Sequence, residues 1–203
     1  MTNYLYHDDL PDDLDLGKSV AIDTETLGLN LTRDRLCVVQ ISSGDGNAHL
    51  VQIKAKAADC PNLKKLICDP QIEKLFHFGR FDIAQLMKLA GDMKGNVFCT
   101  KIASKLVRTY TDRHGLAELC REMLGVELSK QQQSSDWGKD ELSQQQLDYA
   151  ASDVLYLHRL KAELEVRLAR EGRTAQAKAC FTYLPHRARL DIAGFEDVDI
   201  FHH

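Results

Sequence analysis

Short apolar and β-branched runs alternate with polar breaks along the first half of the chain, a pattern typical of strands. The runs predict five strands, over residues 18–26, 35–43, 48–53, 73–78 and 96–99. Gly44-Asp45-Gly46-Asn47 lies between the second and third runs and has the residue types of a tight hairpin turn. We therefore expect the first three strands to be antiparallel neighbours.

Apolar residues recur with helical spacing between and after these strands. The spacing predicts helices over residues 61–68, 81–90, 101–107, 115–124, 143–170 and 174–183. Pro185 is expected to end the last helix, because proline inside a helix removes a hydrogen bond and clashes with the preceding turn. Residues 186–203 are then an irregular tail, expected to dock on the core or on a neighbouring subunit. The pattern predicts one α/β domain over residues 1–203, with a mixed five-stranded sheet flanked by helices.

The charge balance limits how the chain can contact nucleic acid. Its 203 residues include 26 Lys and Arg against 30 Asp and Glu, a net charge of −4. A protein that coats long duplexes is usually basic, because phosphate neutralisation dominates its affinity. The balance argues against extended groove binding. It is compatible with an enzyme that holds a few phosphates while metal ions supply the positive charge.

The cysteines and the apolar runs indicate the cellular compartment. Six scattered cysteines include no Cys-x-x-Cys pair, which favours thiols in a reducing compartment over disulfides or a zinc site. The acidic start lacks a secretory signal, and no run reaches the roughly 18 apolar residues of a membrane span. We expect a soluble cytoplasmic protein without a membrane partner. No Gly-x-Gly-x-x-Gly sequence and no Gly-x-x-x-x-Gly-Lys-Ser/Thr phosphate loop occurs, which disfavours a dehydrogenase or a kinase.

Four carboxylates and a tyrosine stand where predicted elements begin or end. Asp23 and Glu25 share one face of the first strand, Asp82 opens a helix, and Tyr149 and Asp153 lie one turn apart on the long helix. Each alone has an ordinary structural interpretation, such as a solvated strand end, a helix N-terminal carboxylate, a surface ion pair or a hydrogen-bonded core tyrosine. Together, oxygen ligands without His or Cys suit Mg²⁺ or Mn²⁺. Two such ions about 3.5–4 Å apart can stabilise both oxygens of a phosphoryl displacement.

These residues lie within longer stretches that resemble a known family. Three stretches resemble the motifs of the DEDD 3′-5′ exonucleases of the tyrosine subclass: Asp23-Thr24-Glu25, His77-Phe78-Gly79-Arg80-Phe81-Asp82 and Tyr149-Ala150-Ala151-Ser152-Asp153. The stretch 128–137 resembles the ribonuclease D branch, and 98–106 with 109–116 is similar to its nanoRNase C group. Lys139-Asp140-Glu141-Leu142 departs from the family's Arg-Pro-Leu. The helical C-terminal domains of full ribonuclease D are also absent from this sequence, which lowers the expectation of structured-RNA processing.

The resemblance implies a ribonuclease H-like exonuclease fold and a two-metal mechanism. Asp23 would contact both divalent ions, Mg²⁺ or Mn²⁺, while Glu25 and Asp153 would complete the site of the ion that activates water. Asp82 would hold the second ion, and Tyr149 would orient the water. The implied activity is 3′-5′ hydrolysis of short RNA, chiefly dinucleotides, to nucleoside 5′-monophosphates.

Substrate contacts are expected from the same motifs and from nearby loops. The candidates are Thr24, Leu27, Leu29, His77, Arg108, Arg113, His114, Lys130, Gln133, Ser135 and Trp137. Leu27 and Leu29 would wedge against terminal bases or close the core, and Trp137 would stack on a base or pack between helices. Lys130, Gln133 and Ser135 would bind phosphate and ribose or form a polar loop. A basic clamp on a 5′-phosphate is expected from Arg108, Arg113 and His114, and such a clamp would favour dinucleotides. The alternatives are that these residues lie in a solvated loop or form ion pairs between subunits.

Alternatives to dinucleotide hydrolysis stay open at this point. One is a broader ribonuclease D-type exonuclease acting on RNA or single-stranded DNA. Another is a catalytically silent nucleic-acid-binding scaffold with the same fold. The nanoRNase C likeness also implies a closed homo-oligomer, an octamer.

Overall fold

A mixed six-stranded sheet forms the centre of the computed structural model, which describes residues 2–54, 59–129, 131–132 and 134–202. The strands are β1 (Asn3–His7), β2 (Ser19–Thr26), β3 (Leu36–Ser42), β4 (Ala48–Gln52), β5 (Glu73–Phe76) and β6 (Val97–Cys99). Their order is β1-β4-β3-β2-β5-β6. The pairs β2–β3 and β3–β4 are antiparallel, and β1–β4, β2–β5 and β5–β6 are parallel. The predicted antiparallel neighbours and the mixed sheet are confirmed.

The sheet has six strands rather than the predicted five, because β1 was missed. β1 lies at the sheet edge, and its five residues are half-buried or exposed. An edge strand covered on one side needs no continuous apolar run, so its sequence lacks the signal that marks the central strands. Every residue of β3 is buried, as expected of a central strand with helices on both faces.

The described residues form seven α-helices: α1 (Pro61–Cys68), α2 (Arg80–Ala90), α3 (Thr100–Val107), α4 (Leu116–Leu119), α5 (Gln144–Leu155), α6 (Leu157–Arg170) and α7 (Thr174–Leu190). A π-helical turn (Cys120–Leu124) continues α4, and Gly125 ends it at a φ of 68°. The predicted helix 143–170 is two helices, with Tyr156 between them. Ser143 caps α5 together with Gln146 in a capping box. Within the described part of the chain, no helix is long and apolar enough to cross a membrane.

Pro185 lies inside α7, so the prediction that it ends the last helix is wrong. The helix runs on to Leu190, and a π-helical turn (Asp191–Phe195) follows it. A proline within a helix costs about 3 kcal/mol. Packing outweighs that cost here, because the helix buries Leu184 and Ala188 on either side of the proline. The irregular tail predicted from residue 186 therefore begins later in the chain.

Candidate active site

Two carboxylates of the site come from β2, in the middle of the sheet. In the antiparallel register, Asp23 lies opposite Gln40 and Glu25 opposite Val38, and a bulge follows Glu25. On its other side, β2 pairs with β5 over Ser19–Ala21, before the carboxylates. β5 then turns into α2, so the end of β2 faces an opening rather than a neighbouring strand.

Asp153 comes to the same place on α5, which packs across β2, β3 and β4. Asp23, Glu25 and Asp153, the carboxylate cluster, each offer an oxygen within 4.8 Å of the other two. Asp82, near the start of α2, lies beside this cluster. Its Oδ1 accepts a hydrogen bond of 2.5 Å from Thr24 Oγ1. Residues 130 positions apart in sequence, such as 23 and 153, thus meet at one end of the sheet.

Burial raises the pKa of each of these four carboxyl groups, and repulsion between them raises three of the four further. The pKa of Glu25 rises to about 9, that of Asp153 to about 7 and that of Asp82 to about 6. The pKa of Asp23 rises well above its ordinary value, although the Thr24 backbone N–H opposes this rise. Bound divalent cations would favour the ionised forms, and an oxygen-only donor set suits Mg²⁺ or Mn²⁺. The residues present therefore fit such ions.

Tyr149 lies one turn before Asp153 on α5 and lines the same opening. Burial raises the pKa of its phenol, and the charges of Asp153, Glu25 and Asp23 raise it further. Its ring packs against Trp137 with centroids 6.1 Å apart. Trp137 is 3% exposed, so its ring supports Tyr149 rather than lying open to a base.

The opening is a cleft of about 1040 Å³, and the four carboxylates and Tyr149 line it together with Leu27, Leu29, His77, Ser135 and Trp137. Leu29 is 85% exposed and Leu27 52%, so neither side chain closes the core. Asp34 fixes the loop that carries them. Its Oδ2 accepts the Asn30 backbone N–H at 3.0 Å, and a side chain at Gly28 would collide with it.

The basic clamp predicted for a 5′-phosphate consists of Arg108, Arg113 and His114. Within a single copy of the chain, these residues do not line the cleft. Arg108 is 1% exposed, forms an ion pair with Glu122 and donates to the Arg113 carbonyl. His114 is buried with its Nδ1 2.8 Å from Ser104 Oγ. Arg113 is exposed. Arg108 and His114 are thus occupied by contacts within the α3–α4 region, which a linear basic cluster does not reveal.

The remaining predicted contacts divide between described and undescribed residues. Thr24 donates its hydroxyl hydrogen bond to Asp82. His77 Nδ1 lies 2.9 Å from Thr100 Oγ1. Burial, followed by the nearby Lys101 charge, lowers the pKa of His77 to about 3, so its ring is neutral. Lys130 and Gln133 lie outside the described residues.

The structure adds cleft residues that the sequence did not single out: Phe78, Arg80, Lys101, Asp191, Glu196 and Asp197. Arg80 Nε and Nη2 bind both Asp191 oxygens, at 2.5 and 2.7 Å, which brings the turn after α7 to the mouth of the cleft. Phe78 and Arg80 belong to the same motif as Asp82, and this membership could have identified them as cleft residues from the sequence. No sequence feature identifies the acidic residues after α7, because they reach the cleft only when the helix continues past Pro185.

Comparison with known proteins gives consistent matches. Residues 7–169 match the model of a 3′-5′ exonuclease family. Ribonuclease D of Granulibacter bethesdensis is 35% identical over 156 residues, which are 77% of this chain and 39% of that protein. Ribonuclease D of Gluconacetobacter diazotrophicus is 34% identical over 76% of this chain and 39% of its own. The chain thus spans about two fifths of the length of these curated relatives.

Solved structures extend the likeness over the whole chain. Brucella melitensis NrnC with bound Mg²⁺ is 60% identical, covers 100% of both chains and superposes with a TM-score of 0.95. The same protein bound to pGG is 61% identical, covers 100% of this chain and 99% of that one, and has a TM-score of 0.96. Escherichia coli RNase D shares the fold. It is 24% identical, covers 89% of this chain and 50% of its own, and has a TM-score of 0.72.

Proposed function

Because this chain belongs to the 3′-5′ exonuclease family, we propose that it hydrolyses short oligoribonucleotides, chiefly dinucleotides, to nucleoside 5′-monophosphates. The observation that carries the proposal is the convergence of Asp23, Glu25 and Asp153 within 4.8 Å in a cleft. The structure of Brucella melitensis NrnC with pGG supports a short substrate, since this chain is 61% identical to that protein.

Asp23, Glu25, Asp82 and Asp153 would hold two divalent ions, Mg²⁺ or Mn²⁺. When bound, such ions lower the pKa of water and stabilise charge on the attacking and leaving oxygens of a phosphodiester. Thr24 keeps Asp82 in place through its 2.5 Å hydrogen bond, so that the α2 carboxylate stays beside the β2 carboxylates. Neutral His77 adds no positive charge at the cleft wall.

Tyr149 orients the attacking water rather than removing its proton. The raised pKa of its phenol keeps the hydroxyl protonated at neutral pH, so the oxygen can donate or accept a hydrogen bond but is a poor base. Trp137 packs against the ring and limits its movement. The tyrosine is therefore a positioning group at the reacting phosphate.

The charge of the cleft supports a preference for short RNA. Among the described residues that line it, eight are acidic and two, Arg80 and Lys101, are basic. Two divalent ions would balance four of the negative charges, and the wall stays acidic. Each added nucleotide brings one more phosphate charge, which such a wall repels. Arg80 is moreover bound to Asp191 and offers little charge to a substrate.

The test is a product ladder from RNAs two to seven nucleotides long, with Mg²⁺, Mn²⁺ or EDTA. We expect fastest turnover of dinucleotides and none in EDTA. Equal rates on all lengths, or on single-stranded DNA, would favour the broader ribonuclease D-type activity. Asp23→Asn should abolish turnover while dinucleotide binding remains measurable, and Asp140→Asn, at an exposed position outside the cleft lining, is the matched control. Binding without turnover in the unchanged protein would indicate a silent scaffold.

A homo-oligomer, an octamer by resemblance to nanoRNase C, is part of this proposal. Residues after α7 carry exposed apolar side chains that suit a subunit interface: Ile192, Phe195, Val198, Ile200 and Phe201. Light scattering after size exclusion should give a mass of eight chains. A monomer mass would reject the oligomer.

A further inference from the structure

Phe78 has an unusual backbone conformation at the cleft. Its φ is 62°, in the left-handed region, which bulky residues rarely adopt. Its ring is 58% exposed and lines the cleft beside the acidic site. Both features oppose folding, because the backbone is strained and the ring is not buried. Residues held in such conformations cluster at ligand-binding and active sites.

The turn between β5 and α2 imposes this conformation on residue 78. On one side, His77 is held by its 2.9 Å contact with Thr100. On the other, a Cβ at Gly79 would lie 2.4 Å from the Cβ of Phe76, so the chain there passes directly against the strand it leaves. The turn requires a left-handed residue, and glycine would meet that requirement without strain. The fold therefore explains the backbone but not the phenyl ring.

Lys101 supplies a second observation at the same place. Its Nζ lies 3.4 Å from the centroid of the Phe78 ring, a cation–π contact between the first turn of α3 and the β5–α2 turn. Lys101 lines the cleft, and its charge is not paired with a carboxylate in any contact among the described residues. A flat, 58% exposed apolar ring with a cation over one of its faces matches the two parts of a nucleotide, a base and a phosphate.

We propose that Phe78 is a base-stacking residue of the substrate cleft and that Lys101 positions its ring and neutralises a substrate phosphate. This inference rests on the proposed nuclease function. Stacking should tolerate any base, because every base has a π-face, and should act mainly on substrate affinity. The phenyl ring is then present for the ligand, and the strain at residue 78 is the cost of presenting it.

Three variants and one control test the role of the ring. Phe78→Ala removes it, Phe78→Tyr keeps an aromatic face, and Phe78→Gly removes both the ring and the backbone strain. Tyr4→Ala is the control, because Tyr4 is also an exposed aromatic residue but lies outside the cleft lining. Each is assayed for kcat and KM on 5′-phosphorylated dinucleotides. Binding of a 2-aminopurine dinucleotide with Ca²⁺ in place of Mg²⁺ reports stacking directly through quenching of its fluorescence.

We expect KM to rise about tenfold in Phe78→Ala and Phe78→Gly, in line with the measured worth of one base–aromatic stack, while kcat changes little. The fluorescence quenching should be lost in both, and retained in Phe78→Tyr and Tyr4→Ala. Phe78→Gly should melt at or above the temperature of the unchanged protein, because the strain is gone. That combination of weaker binding and equal or higher stability distinguishes a substrate contact from a structural role.

Wild-type KM and quenching in Phe78→Ala would overturn the inference while leaving the proposed function intact. A loss of affinity that accompanies a fall in the light-scattering mass would also overturn it, since the ring would then belong to a subunit interface. Failure of the unchanged protein to cleave any RNA would instead reject the proposed function.

Discussion

The carboxylate cluster predicts that the metal-free protein loses stability as the pH rises. The pKa of Glu25 is about 9 in the folded protein but close to its ordinary value of 4.5 in the unfolded chain. Between these values only the folded state keeps the proton, so unfolding releases one proton and becomes more favourable at higher pH. The stabilisation is present at low pH and is lost as the pH rises toward 9.

The expected change is large enough to measure. One released proton lowers the free energy of unfolding by about 1.4 kcal/mol per pH unit, hence by about 2 kcal/mol between pH 6.5 and pH 8. Asp153, with a pKa of about 7, adds to the fall in the lower part of this window. His77 and Lys74, whose pKa values are lowered to about 3 and about 8, have their main opposite effects outside the window. For a chain of this size, 2 kcal/mol corresponds to a Tm lower by about 4–8 °C.

The assay is thermal unfolding in EDTA at pH 6.5, 7.2 and 8.0, repeated with Mg²⁺. Glu25→Gln cannot ionise, so we expect it to lose the part of the pH slope that Glu25 contributes, about 1.4 kcal/mol per pH unit, and to exceed the unchanged protein in Tm at pH 8. The contributions of Asp23 and Asp153 remain. Mg²⁺ should raise the Tm more at pH 8 than at pH 6.5, because it binds the ionised cluster. A flat Tm in EDTA, or the same slope in Glu25→Gln, would refute this account of the cluster.

Further predictions concern other parts of the site. Thr24→Val should lower kcat about tenfold with little change in KM or Tm, because Asp82 loses the hydrogen bond that holds it; steady-state kinetics on a dinucleotide checks this. Arg108→Met should cost about 1.5–3 kcal/mol in urea unfolding, since it removes the buried partner of the half-exposed Glu122, yet leave the dinucleotide-to-heptamer rate ratio unchanged. A shift in that ratio would instead support the predicted role of Arg108 in binding the 5′-phosphate. Glu196→Gln with Asp197→Asn should raise heptamer cleavage relative to dinucleotide cleavage several-fold at low salt, and less at high salt, because wall charges are screened.

The positions of the main elements could be predicted from the sequence because strand, helix and turn preferences act over a few residues. The three antiparallel strands, the hairpin at Gly44–Asn47 and the helices from α1 to α3 follow from such local patterns. The membership of the exonuclease family was likewise visible in three short motifs, and the family match confirms it. Each motif is contiguous in sequence, so it can be identified before anything is known of the fold.

Tertiary packing alone decided the rest. Burial of Leu184 and Ala188 carries α7 through Pro185, which local propensity opposes. The same long-range contacts enclose Arg108 and place an acidic turn at the cleft mouth. They also force Phe78 into a left-handed conformation between two crowded neighbours. The sequence determined which groups are available for chemistry, because that depends on residue type and local order. Which of them face the cleft depends on contacts between residues far apart in the chain, and no short stretch contains that information.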